Sequence, residues 1–194
     1  MGYQLITAPI AEPLSLAEVK AHLRVDIADD DALITLLIVA ARQYCEQATA
    51  RSLVTQQWAL VMDGFYATGS QVISLERGPV QSIDSIAYLD MGGVQQVMPA
   101  TDYAADLTGM LARITPRFGK IWPITLPQIG TAAINFTAGF GAPVAVPEGL
   151  KSWMKLRIGS LYRNREAVLV DGRIDVVPLP FIDSLLDAYR IVRA

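Results

Sequence analysis

The sequence predicts an α+β fold, with helical parts at both ends of the chain and an antiparallel sheet or sandwich between them. Three observations predict it. Apolar residues recur at helical spacing up to about residue 52 and again beyond about 141. Between these limits the spacing shortens to the two-residue alternation of strands, broken by Gly, Pro and Asp turns. At 194 residues the chain is one domain, with or without an inserted lobe, and is long enough to bury a core. The expected divisions are N-terminal helices over 1–52, an antiparallel β region over 53–140, and C-terminal helices and a tail over 141–194.

"PLSLAEVKAHLRVD" opens the first helix. Ser15 and Glu18, three residues apart, form a capping box, and Leu16, Val19, Ala21 and Leu23 are its apolar positions. The helix ends near Arg24. An acidic block, Asp26 and Asp29 to Asp31, then leads into a second helix. Asp29 or Asp30 can cap its free N–H groups, and the neighbouring carboxylates favour the positive end of its dipole. Leu33, Ile34, Leu36, Leu37, Ile38, Ala40, Ala41, Tyr44, Cys45 and Ala48 cover an arc of roughly 200° at helical spacing. Thr35, Arg42, Gln43 and Glu46 share the remainder. So wide an apolar arc predicts a helix buried on two sides, by its own core and by a neighbouring subunit.

From Ser52 the chain reads as short strands. "VTQQWALVMD" and "QVISLER" are two, separated by the loop "GFYATGS", and the second is stopped by Gly78-Pro79. "SIDSIAYLDMGGVQQVMPA" predicts a hairpin turning at Asp90 to Gly93. "YAADLTGMLARITP" holds further short strands, and "TAAINFTAGF" sets Ala132, Ile134, Phe136 and Ala138 on one face. "AGFGAPVAVPEG" is a turn-rich joint. A third helix follows through Leu150, Trp153, Met154, Ile158, Leu161 and Tyr162, with Pro147 near its start. "VLVDGRIDVVPLP" breaks it, and a short helix through Ile182, Leu185, Leu186 and Tyr189 closes the sequence.

Hydrophobic residues make up 52% and charged residues 18%, against roughly 25% charged in average soluble proteins. A surface so poor in charge predicts cover by other copies of the chain. The formal net charge of −3 carries no whole-chain signature of nucleic-acid binding. It is unevenly spread: three Lys/Arg against seven Asp/Glu over 1–50, five against six over 51–146, and eight against six over 147–194. An acidic front and a basic back suit head-to-tail association; ordinary surface scatter would look the same. "MGYQLITAPIAEP" has neither the basic leader nor the apolar core of a signal peptide, and no apolar run approaches the ~18 residues that span a bilayer. With a single cysteine, these features predict a soluble intracellular protein without disulfides.

The sequence offers little chemistry. An EF-hand loop starting at Asp26 would need glycine at its sixth position and glutamate at its twelfth, where Asp31 and Leu37 stand. A small metal-dependent hydrolase using the Asp26 to Asp31 carboxylates would need ligands converging from elsewhere. His22 is the only histidine and Cys45 sits on the apolar arc, so both read as structural, and no GxSxG, HExxH or GxxxxGK[ST] occurs. The expected numbers of catalytic residues, metal ligands and cofactors are therefore zero. On the third helix Lys151, Lys155, Arg157, Arg163 and Arg165 stand against Glu148 and Glu166. Such a face is solvated, or meets an acidic partner, or weakly attracts DNA phosphates.

Taken together, several segments resemble the head–tail connector (adaptor) proteins of long-tailed bacteriophages. "PLSLAEVKAHLRVDIADDDALITLLIVAARQYCEQATARSL" carries a leading Leu-x-x-x-Lys-x-x-Leu-Arg, an acidic loop ending in Asp-Asp, and a long Ala-rich helix closing in Glu-x-x-Thr-x-Arg, here Glu46, Thr49 and Arg51. "INFTAGFGAPVAVPEGLKSWMKLRIGSLYRNREA" is similar to the family's Thr-Ala-Gly-aromatic-Gly turn, Val-Pro, and helix ending in Tyr-x-x-Arg-Glu. "LLDAYRIVR" looks like its C-terminal Leu-Leu-x-x-Tyr-Arg segment. The resemblance spans nearly the whole chain and is diffuse across the β region.

The resemblance implies a helical bundle built from both ends of the chain, with the β region inserted, and a structural, non-enzymatic part of the virion. It implies a ring, of twelve copies, beneath the portal protein of the filled capsid. The ring extends a DNA channel that does not bind DNA specifically and docks neck and tail-completion proteins. It implies assembly in the host cytoplasm, residence at the head–tail junction and no membrane. The isolated subunit is expected to be monomeric or weakly associated until the portal templates it. Candidate interface residues are Ile34 and Ile38 on the second helix and Lys151, Lys155 and Arg157 on the third. By the resemblance, Leu185, Leu186, Tyr189 and Arg190 join them as the arm reaching the portal, with "DGRIDVVPLP" as its hinge. The runner-up is another neck or tail-completion protein.

Overall fold

The computed structural model describes residues 1–65, 71–164 and 183–191. Its elements are β1 (Gly2–Thr7), α1 (Leu16–Leu23), α2 (Asp31–Thr49), β2 (Gln56–Met62), β3 (Ile73–Leu75), β4 (Val80–Leu89), β5 (Gln95–Val97), β6 (Tyr103–Asp106), β7 (Ala112–Pro116), β8 (Ala132–Ala138), α3 (Glu148–Arg163) and α4 (Ser184–Asp187). Helices and antiparallel sheets together make the fold α+β. The chain forms two compact units: Met1–Ile10 with Val54–Phe140, and Ala11–Leu53 with Gly141–Ala194.

The β unit holds a five-stranded sheet in the order β1-β2-β8-β4-β5 and a three-stranded sheet β3-β7-β6, antiparallel at every pairing. β8 runs centrally, with Phe136 opposite Trp58 on one side and Ile83 on the other. Ala132, Ile134, Phe136 and Ala138 all face inward, as their alternation requires, and pack with Leu60, Ile86 and Ile114. The β4–β5 hairpin turns at the expected residues. Asp90 accepts from the Gln96 amide (2.9 Å) and from the Val94 (3.0 Å) and Gly92 (2.9 Å) N–H groups; the Gln96 bond first, then these, hold its carboxyl below the usual carboxylate range.

β1 is the strand with no counterpart in the sequence reading, which assigns residues 1–52 to the helices. It is a sheet edge, exposed at every position except the half-buried Tyr3. Its order comes from backbone pairing with β2, which leaves no buried face to imprint a pattern. Gly139, in the Thr-Ala-Gly-aromatic-Gly turn, has φ +131°, and a Cβ there would lie 2.4 Å from the Val54 carbonyl oxygen. Only glycine lets these backbones approach so closely.

In the helical unit the four helices pack on one another. The capping box of α1 forms in full: the Glu18 N–H donates to Ser15 Oγ (3.2 Å) and the Ser15 N–H to the Glu18 carboxylate (2.8 Å). Arg24 ends the helix in the left-handed region, at φ 58°. On α2 the expected burial is only partly found. Ile34, Ile38, Ala41 and Cys45 are buried, but Leu36 is 68% exposed and Tyr44 51%. Arg42 and Glu46, expected on the polar remainder, are instead buried. They neutralise each other at 2.9 Å, and Arg42 also binds Glu12 at 2.8 Å, so neither enters the interior as an unpaired charge.

Candidate functional site

The acidic block serves packing within the helical unit. Asp30 occupies the cap position of α2, yet its side chain makes no capping hydrogen bond. Its carboxylate accepts the Tyr162 hydroxyl from α3. Asp31 pairs with Lys20 of α1 at 2.5 Å, and the same ammonium donates to the Ile27 carbonyl at 2.8 Å. Two of the four aspartates thus tie α1 and α3 to the start of α2, which corrects the reading of the block as side-chain caps. Asp26 and Asp29 stay exposed. Among the described residues no group of three or more His, Cys, Asp or Glu is arranged to hold a metal ion.

The basic residues of α3 are largely engaged at home. Lys151 is 6% exposed and pairs with Glu148 at 3.1 Å. Glu18 is held below the usual carboxylate range, chiefly by its hydrogen bonds to Ser15 and then by the charges of Lys155 and Lys151. Arg157 lies over the Tyr44 ring, 5.1 Å from its centre, and Tyr44 stacks on Trp153 at 5.6 Å. The indole N–H of Trp153 donates to Asp183 at 3.2 Å. Arg163 is exposed, while Arg165 and the expected hinge over 171–180 lie outside the described residues.

The end of α2 explains the Glu-x-x-Thr-x-Arg motif. The Glu46 carboxylate accepts both from Arg42 and from the Leu53 N–H at 2.9 Å. Thr49 is fully buried and its hydroxyl donates to the Cys45 carbonyl at 2.7 Å. The Thr49 carbonyl accepts the Ile191 N–H (3.1 Å), and Arg51 Nε donates to the Tyr189 carbonyl (2.5 Å). Burial pulls the Arg51 guanidinium below its ordinary pKa. Two motifs some 140 residues apart in the chain therefore meet, |i−j| being 138 for the Arg51–Tyr189 bond. The polar character of Glu46 and Arg51 at the end of an apolar helix was the available signal, and only the partners' location was missing.

Of the candidate interface residues, Ile34, Ile38 and Leu186 are buried inside the helical unit. Leu185, Tyr189, Arg190 and Lys155 are half-buried, and Arg157 is exposed. The part of α2 facing solvent is different: Thr35, Leu36, Ala40, Gln43, Tyr44 and Gln47. His22 is exposed on α1, and burial pushes the Cys45 thiol up to about 12.

Residues 13–90 match the family model described as phage gp6-like head-tail connector protein. The likeness is to head–tail connectors. This is the family that the motifs of α1, α2 and the acidic block resemble. The chain is also similar over its whole length to chains of solved structures. A chain of the "Neck of empty GTA particle computed with C6 symmetry" is 28% identical with a TM-score of 0.80. One of the "Virion of native gene transfer agent (GTA) particle" is 25% identical at 0.81, and one of the "Neck of native GTA particle computed with C12 symmetry" 26% identical at 0.80. Each likeness covers 100% of this chain and 97% of the other. No curated protein matches the sequence.

Proposed function

We propose that this protein is a head–tail connector, a structural neck part that forms a ring beneath the portal, extends the DNA channel and docks later neck and tail proteins. The observation that carries the reading is the likeness, from end to end, to chains of a virion neck. The C12 symmetry of one such neck, of which C6 is a subset, supports the reading of twelve copies in the ring. The domain plan is one connector domain whose two units alternate along the chain, the β region over Val54–Phe140 being joined by the N-terminal strand β1. The protein is not an enzyme, it binds no cofactor, and its place is the virion, after assembly in the host cytoplasm. No helix among the described residues is long and apolar enough to cross a membrane.

The C-terminal segment is the candidate portal arm, held on α2 by Arg51 and Thr49 until the portal competes for it. Lys155 and Arg157 belong to the candidate interface through α3, Lys151 being buried and paired with Glu148, and DNA passes without specific contact. Electron microscopy of the purified protein with and without its portal tests the reading. A twelve-fold ring on the portal's tail side is expected, with monomers or weak oligomers alone. A compact closed dimer under both conditions overturns it. A ring that binds the distal neck and not the portal would assign another neck or tail-completion protein instead.

A further inference from the structure

Two exposed surfaces carry features that folding of a single copy leaves unused. On α2 every exposed position from Ala32 to Gln47 is uncharged; Leu36 stands out among them, while Tyr44 is already stacked on Trp153 with the Arg157 guanidinium over its ring. Ahead of this face lie Asp26 and Asp29, exposed and with no ion-pair partner among the described residues, beside Ile27 at 60% exposure. The second surface is the segment 117–130 of the β unit, which contains no helix or strand. It is nonetheless fixed. Trp122 is buried, stacks on Phe65 at 4.9 Å and donates to the Gln71 carbonyl at 2.8 Å, while the Leu126 N–H donates to the Leu89 carbonyl at 3.1 Å. Around that anchor Phe118, Ile121, Ile124 and Ile129 point outward, all more than 65% exposed. Beside them the Arg117 side chain donates to the Tyr103 carbonyl at 2.9 Å and meets no carboxylate among the described residues, while Lys120 pairs with Asp102 at 3.1 Å.

One surface is an uncharged helix face with an acidic end, and the other an apolar segment with a basic end. A ring contact is heterologous: each copy uses two different patches, and the contact repeats without pairing a patch with itself. Unlike charges at the edge of an apolar contact set its register and exclude the reversed pairing. We propose that the uncharged face of α2 in one copy docks on the 117–130 segment of the next copy, with Asp26 and Asp29 towards the next copy's Arg117. This rests on the ring reading above and deepens it by naming the two surfaces.

The test uses full-length Leu36→Cys and Ile124→Cys variants, each carrying a different mass tag, assembled with the portal protein and treated with a short bismaleimide. Cys45 is buried and leaves the wild type unlinked. The mixture is expected to give a cross-linked dimer of one variant with the other, at least tenfold above either variant alone. The Leu36→Cys/Ile124→Cys chain should give a ladder of multiples. Asp29→Arg should weaken assembly at least tenfold, and Arg117→Asp on the same chain should restore it. Rings seen by microscopy without the mixed cross-link overturn the docking and leave the connector reading standing. Cross-links between two Leu36→Cys copies also overturn it, and wild-type protein that forms no ring with the portal overturns both.

Discussion

The two units reach stability by different means. In the β unit the interior is an apolar contact of two sheets: Phe136, Ile134, Leu60, Ile86 and Ile114 are fully buried, and inward-facing residues of β2, β3, β4, β7 and β8 fill it together. In the helical unit charge is carried inside. Arg42, Glu46, Thr49, Arg51, Ser52 and Lys151 are buried there, against Gln56 and Thr131 in the β unit among the described residues. The difference teaches that an apolar interior tolerates imprecise partners, whereas a buried ion requires one particular partner. The helical unit is therefore the part in which the arrangement of distant segments is most strictly specified.

The contrast can be broken first at Phe136. Phe136→Ala should cost about 4 kcal/mol through lost burial and the cavity left behind, read as a lowered denaturation midpoint with faster hydrogen exchange in β2, β4 and β8. A cost below about 1 kcal/mol would mean that the sheets repack freely. Glu46→Ala comes next, at about 3 kcal/mol, because Arg42 loses one of its two carboxylates and the Leu53 N–H its acceptor. Exchange should rise along α2 with β8 unaffected. Should Glu46→Leu prove as stable as wild type, the buried pair contributes specificity and not stability.

Arg51→Ala removes a charged donor from the Tyr189 carbonyl and should cost about 2 kcal/mol. Here the sharper readout is the Ile191 amide, whose protection should fall while the middle of α2 keeps its own. Smallest is Ser15→Ala, about 1 kcal/mol for a lost helix cap. The Glu18 carboxyl is depressed in the folded state, so its contribution is present above the unfolded-state pKa and fades as pH falls through the lowered folded one. In Ser15→Ala that acid-side loss should shrink, and an NMR titration should find the Glu18 pKa raised relative to wild type.

Much of this architecture can be read directly. The capping box of α1, the strands from β2 to β8, the hairpin at Asp90 and the inward face of β8 follow from local spacing, since each depends on residues a few positions apart. β1 could not be read because an edge strand has no buried face. The interface candidates show the same limit: Ile34 and Ile38 are apolar as an interface would be, but the interior of their own unit takes them, and Leu36 and Tyr44 on the same arc face out. Helical spacing gives the width of an apolar arc and cannot say which edge of it the neighbouring helices cover.

What the amino-acid order determines alone is the type and sequence of elements, because capping, turn chemistry and periodicity act over one or two helical turns or strand pairs. Which polar groups go inside was decided only by the tertiary fold. Glu12 reaches Arg42 over 30 residues and Arg51 reaches Tyr189 over 138. A charge can be buried only where its partner has already been brought to hydrogen-bonding distance, and that distance is a property of the packed helices, not of the segment that carries the charge.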